Sequence, residues 1–261
     1  MALRELYHPE SGRMRVAGFM SGSGSNLRKI IENQGRLEAR DCRSPYQVVV
    51  IFSNDLTSNA QKIGGEYGIP VIENDMAKFH AERGRPKNDL SVRAEFDART
   101  VEALKPFDVD VAAYAGYMAI ATHPLINAFL GVNVHPADLS IMTGQKRKYT
   151  GANAVRDAIL AGETQLRSTT HLIEREVDYG KILMVSYPTA VQLPKGFDPE
   201  NKDKVKAVVD AHQDNLKKIG DWVIFPRTLE YIADGRYSKD EKGNIHFDDK
   251  PIPQGLRLEA A

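Results

Sequence analysis

Cysteine is almost missing from this sequence: Cys42 is alone among 261 residues. A single thiol excludes an internal disulfide and a cysteine metal cluster, and it fits a reducing compartment. Charge of one sign is not in excess either. The 35 Lys and Arg residues balance 35 Asp and Glu, so no global field favours nucleic acid or an anionic membrane. No apolar run approaches the ~18 residues of a membrane span, and the first residues lack the apolar core of a signal peptide. The seven histidines are scattered without an HExxH spacing, so no metal site is expected. These exclusions leave a cytoplasmic enzyme acting on small molecules, with no nucleic acid, membrane or metal.

Apolar runs alternate with amphipathic segments. Strand-like runs cover 14–20, 46–53, 69–73, 109–116 and 130–135, with helical patterns over 25–34, 57–67, 91–105 and 122–129. The runs are apolar on both faces, as buried parallel strands are. Strand–helix alternation of this kind predicts a Rossmann-like, doubly wound α/β fold. A helix over 151–161 follows, then β-rich runs over 166–174 and 182–191 joined by a short loop. That predicts a late antiparallel hairpin on a mostly parallel sheet. One or two helices are expected over 203–234. The chain divides into a loose polar leader (1–13), one domain (14–234) and a hairpin-like extension (235–261), where "EKGN" marks a turn.

The first strand ends in "SGSGSNL" (21–27), and a helix begins at once. A dinucleotide fingerprint requires a small residue three positions after the second glycine, and Leu27 stands there. No Lys-Ser/Thr follows the glycines, which excludes a P-loop. The N–H groups of Ser23, Gly24, Ser25 and Asn26 at a helix N-terminus still suit an anion, with serine hydroxyls and the charges of Arg28 and Lys29 nearby. A ligand-free, serine-capped turn is the alternative.

The fifth strand ends in "GVNVHPADL" (131–139), and alternation puts Asn133 and His135 on one side of it. An amide donor beside an imidazole at the carboxyl edge of such a sheet suits acyl-type chemistry. Asp178, in "EREVDYGK", lies where a carboxylate reaches the same edge. Bonded to His135, it would raise the histidine's pKa and favour the imidazolium. Capping and turn roles are the plainer readings of these three residues.

"SGSGSNL", "YAGYMAI", "NVHPADL" and "STTHLIEREVDYGKIL" occur in one order that resembles the glycinamide ribonucleotide formyltransferases, within the folate-dependent formyltransferase superfamily, over about 14–234. The resemblance implies direct formyl transfer from 10-formyltetrahydrofolate, as co-substrate, to the amine of glycinamide ribonucleotide in purine synthesis. It makes Asn133, His135 and Asp178 the catalytic trio. Ser23, Gly24, Ser25 and Asn26 become the phosphate loop, and Tyr117, Met118, Ala119, Ile120 and Ala121 the folate segment. His171 matches a histidine on the strand leading to Asp178. A homodimer is a further possibility under this reading.

Several positions depart from the family pattern. After His135-Pro136 the chain runs "ADLSIMTGQKRKYTG", longer than usual and without the expected proline. A histidine is missing from "GANAV", and Ala119 replaces a common arginine. "DWVIFP" makes Asp221 the stand-in for an acid that binds the nucleotide. The cluster Lys146-Arg147-Lys148 reads as a solvated loop, with contact to a phosphate or a folate tail as the alternative. Alternatives to the whole assignment are a formyltetrahydrofolate hydrolase, a transferase for another amine, and a nucleotide- or folate-binding protein without catalysis.

Overall fold

The computed structural model describes residues 2–259. Eight strands form its central sheet: Met14–Met20 (β1), Tyr46–Ser53 (β2), Val71–Glu73 (β3), Val111–Tyr114 (β4), Leu130–His135 (β5), Thr169–Leu172 (β6), Ile182–Val185 (β7) and Leu256–Arg257 (β8), in the order β8-β7-β6-β5-β4-β1-β2-β3. The pairs among β1 to β5 are parallel; β6 is antiparallel to both β5 and β7. This is the expected mostly parallel α/β sheet with a late antiparallel hairpin.

Alternation along β1 explains the layers. Met14, Val16 and Met20 face a core that holds Leu27 and Ile30 of Ser25–Asp41 (α1), and Ile224 and Leu229 of Trp222–Ala233 (α4). Ala17 and Phe19 face the opposite core, with Phe96 and Leu104 of Arg93–Leu104 (α2). A two-residue period on a strand buried on both sides sends apolar groups into both layers. At Gly18 a Cβ would lie 2.3 Å from Leu27 Cδ1. The close helix–strand approach that a dinucleotide fingerprint takes from a small helix residue is supplied here by the strand's glycine, which leaves Leu27 free to be large.

The strand order reverses at β1 and β4, so the loops leaving their carboxyl ends diverge and open a crevice. Residues expected as one or two helices form Lys202–Leu216 (α3), a π turn over Lys217–Asp221, and α4. Pro226 lies just beyond that turn and has no N–H for the α ladder, which locates the irregularity.

The two chain ends are arranged differently from a loose leader and a separate hairpin. Arg4–Glu5 pairs with Tyr237–Lys239, which pairs in turn with Ile245–Phe247 and then Lys250–Pro251, making a four-stranded antiparallel sheet. The chain then returns as β8 and covers the β7 edge, where unpaired backbone groups would otherwise be left.

From β8, Arg257 Nη2 reaches Asp138 Oδ2 at 2.7 Å, just after the β5 end, and Ser140 donates to the same carboxylate. Asp138 is buried, and these partners hold its pKa below the ordinary carboxylate value although burial alone would raise it. Arg257→Ala leaves a buried carboxylate short of a charged donor, so chemical unfolding should show a loss of about 1–3 kcal/mol. An unchanged denaturation midpoint would contradict this anchoring role.

Candidate active site

The loop after β1 is built around Gly24, whose φ is +69°. A Cβ there would lie 2.5 Å from Ile63 Cδ1 and 2.8 Å from Met20 Cε, so glycine meets both a left-handed backbone and a tight contact. The first helical bond of α1 runs from Arg28 N–H to Gly24 O, which leaves the earlier amides of the turn outside the ladder. Asn59 ties the loop from behind: its N–H donates to Gly22 O and its side-chain amide to Ser23 O. Ser21 is already committed, donating to Asn54 Oδ1 at 2.6 Å and accepting the Met118 N–H. The hydroxyls of Ser23 and Ser25 and the loop amides remain.

The charges expected beside this loop are elsewhere. Arg28 pairs with Glu66, and Lys29 pairs with Glu32 at 2.6 Å and sits over the Trp222 ring. Lys217, from the π turn, is the lysine or arginine that lines the cavity among the described residues. Sequence reasoning missed it; its ammonium also lies 3.7 Å from Asp214 one turn earlier. Asp221 is buried at the cavity wall beside the loop. It accepts from Ser168 Oγ at 2.5 Å and from Asn26 Nδ2 at 3.3 Å, and burial pushes its pKa up to about 6.

Asn133 and His135 both border the cavity, as alternation on β5 predicts. His171, opposite Asn133 in register, has Nδ1 2.8 Å from Leu172 O. A carbonyl can only accept, so Nδ1 carries the hydrogen and Nε2 accepts from Asn133 Nδ2 at 3.1 Å. This fixes the amide's orientation and leaves it a second N–H. By the same reasoning His135 Nε2–H donates to Tyr149 O at 3.0 Å, and its Nδ1 faces Asp178 Oδ2 at 3.5 Å. Asp178 Oδ2 also accepts the Gly151 N–H at 2.7 Å, and Oδ1 lies 3.6 Å from His171 Nε2.

The electrostatics correct one expectation. Burial lowers the His135 pKa and outweighs the opposing pull of Asp178, while His171 and Arg147 lower it further. The net shift is downward from 6.5, so the resting imidazole is neutral at pH 7 rather than an imidazolium. Burial would raise Asp178, but imidazolium charge beside it at acid pH and the Gly151 N–H bring it down to about 2. The carboxylate is therefore ionised beside a neutral imidazole.

The segment 117–121 lines the same cavity. Tyr117 turns its ring inward onto Phe19, Phe52 and Tyr114, so it presents backbone, whereas Met118 and Ile120 are exposed and apolar. The basic cluster 146–148 is not uniformly solvated. Lys148 pairs with Glu163 at 3.0 Å and Lys146 is exposed, but Arg147 turns inward. Tyr149 and Gly151 are likewise site residues that the sequence left unmarked, because they act through backbone groups. The described residues hold no group of His, Cys, Asp or Glu suited to a metal. No described helix is long and apolar enough to cross a membrane.

One cavity of about 670 Å³ thus joins the loop 21–26, the segment 117–121, Asn133, His135, His171 and Asp178. Residues 14–195 match the model of the formyl transferase family. Phosphoribosylglycinamide formyltransferase of Haemophilus influenzae is 26% identical over 246 residues, 92% of this chain and 96% of that protein. The trifunctional purine biosynthetic protein adenosine-3 of Bos taurus is 28% identical over 247 residues, 93% of this chain; the chain spans only 21% of that protein's length. Among solved structures, phosphoribosylglycinamide formyltransferase from Coxiella burnetii superposes with a TM-score of 0.67 at 20% identity, covering 95% of this chain and all of the other. The match to 14–195 takes in the loop 21–26, the segment 117–121, Asn133, His135, His171 and Asp178, and the chain belongs to the formyl transferase family.

Proposed function

We propose that the chain transfers a formyl group from 10-formyltetrahydrofolate to the amine of glycinamide ribonucleotide, within one formyltransferase domain over 14–234 and in the cytoplasm. The observation that carries this reading is a single cavity with an anion-suited helix N-terminus in one wall and the Asn133–His135–Asp178 group in another. A monophosphate accepts from the loop amides and the hydroxyls of Ser23 and Ser25, with Lys217 supplying positive charge. Asp221 acts through Asn26, holding its amide and the base of the loop. The folate fits the other arm, where backbone at 119–121 offers hydrogen bonds and Met118 and Ile120 an apolar surface for a flat ring.

A new bond forms from the amine nitrogen to the formyl carbon, and the bond from that carbon to the folate nitrogen breaks. Negative charge develops on the formyl oxygen, where the free N–H of Asn133 is the donor to hand. The proton lost by the amine must reach the departing folate nitrogen. Neutral His135 accepts it, and the ionised Asp178 stabilises the imidazolium while it exists. Burial and charge cooperate here: desolvation keeps the histidine a base at rest, and the carboxylate favours its charged form in transit. The acceptor is the nucleophile, so no acyl-enzyme is needed.

Release of tetrahydrofolate from 10-formyltetrahydrofolate should require glycinamide ribonucleotide. Release without it would indicate a hydrolase instead. Asn133→Ala, His135→Ala and Asp178→Ala should each lower kcat by roughly 100-fold or more, with folding intact by circular dichroism. Wild-type turnover in Asp178→Ala would remove that residue from the trio.

The pH dependence has a definite sign. His135 has a folded pKa below 6.5, so it is protonated, and unable to accept, only on the acid side of that value. The kcat profile should therefore fall at acid pH with a midpoint under 6.5 and show no alkaline loss from this group. Nitrogen NMR of the imidazole should find it neutral and protonated at Nε2 at pH 7. An imidazolium signal there would return the mechanism to a charged histidine.

A further inference from the structure

The segment between the end of β5 and Gly151 is where this chain departs most from the pattern it resembles. It folds as a small hairpin, Met142–Thr143 pairing with Lys146–Arg147, and its tip residues are exposed. Arg147 is the exception. Its two Nη groups donate to the carbonyls of Asp178 and of Gly180, the latter at 3.0 Å, and its backbone N–H donates to Tyr179 Oη at 3.1 Å. The guanidinium also lies over the Tyr179 ring, 5.6 Å from its centre. One residue thus engages Asp178, Tyr179 and Gly180 at once.

These three residues need holding. Asp178 has φ +59°, a left-handed conformation that is strained for a residue with a side chain. Gly180 is pressed against the neighbouring strand, where a Cβ would lie 1.7 Å from Leu172 O. Two carbonyls pointing one way from a strained loop are well matched by a planar fork with fixed N–H directions. An ammonium, as a single point charge, cannot reproduce that match.

We propose that Arg147 is a positioning residue for the formyl-transfer site: by bridging the carbonyls of Asp178 and Gly180 it fixes the backbone that aims the Asp178 carboxylate at His135. The hairpin then contributes three linked contacts, since Tyr149 O orients His135 and Gly151 N–H binds Asp178 a few residues further along. The segment 147–151 thus holds His135 and Asp178 in place, while Asn133 is oriented by His171.

The proposal rests on the reading of Asp178 as part of the reacting group, so its test needs a readout besides turnover. That readout is the shift in the His135 titration midpoint, by NMR, between the wild type and Asp178→Asn. The difference measures how strongly the carboxylate is aimed at the imidazole. In an Arg147→Ala background it should shrink toward zero, and in Arg147→Lys it should remain far smaller than in the wild type.

In turnover, Arg147→Ala and Arg147→Lys should both lose about 10-fold or more in kcat, the scale expected when a reacting group is misplaced by an ångström or less. KM for glycinamide ribonucleotide should be unchanged, and Lys146→Ala should behave as wild type. Full rescue by Arg147→Lys would show that charge alone matters and overturn the positioning role. A lowered melting temperature with kcat and the NMR coupling intact would reduce Arg147 to a structural prop and overturn it equally. If the wild type fails to transfer formyl groups, the coupling measurement still decides whether Arg147 aims Asp178.

Discussion

Asp178 is an ionised carboxylate with almost no contact with water, and an unpaired charge in that position costs several kcal/mol. Most of the surrounding architecture answers that cost. The Gly151 N–H supplies a direct hydrogen bond at 2.7 Å, and the His135 imidazole, 3.5 Å away, attracts the carboxylate once it takes up a proton. The same burial that threatens the carboxylate strips water from His135 and keeps it neutral. One desolvated corner therefore yields a stable anion and a poised base together. Neither would have that character on an exposed surface, where solvent screening leaves such pairs weak.

The sheet explains how these groups meet. β5 carries Asn133 and His135, and β6 runs antiparallel beside it with His171 facing Asn133. The turn from β6 to β7 brings the chain back over the same edge, so Asp178 arrives from above. The late hairpin thus closes a crevice that the parallel strands open at β1 and β4. The anion-suited loop and the reacting group come from different parts of the chain, and a single cavity joins them because the strand order reverses there. The chain ends support this arrangement from outside: β8 covers the edge of β7, and its Arg257 secures the segment that follows His135.

Much of this was legible in the sequence, for local reasons. Runs that are apolar on both faces mark buried parallel strands. Leu27 excludes a dinucleotide fingerprint, and a two-residue spacing puts Asn133 and His135 on one side whatever surrounds them. The helix N-terminus after Gly24 was equally readable, since its free amides follow from the start of the helix itself.

Other features were decided only by tertiary structure. The direction of the His135 shift is a sum over burial and every neighbouring charge, so an aspartate in the sequence could not settle it. Arg28 and Lys29 looked like partners for an anion, but Glu66 and Glu32 pair with them, and the π turn puts Lys217 on the cavity wall instead. Tyr149 and Gly151 contribute through carbonyl and amide groups that every residue possesses, so no residue type announces them. Arg147 reads as one more basic residue on a polar loop until the hairpin folds over Asp178. Periodicity and local sterics determine which way a side chain leaves its own element; which groups it then meets, and how much water remains between them, depends on elements distant in the chain.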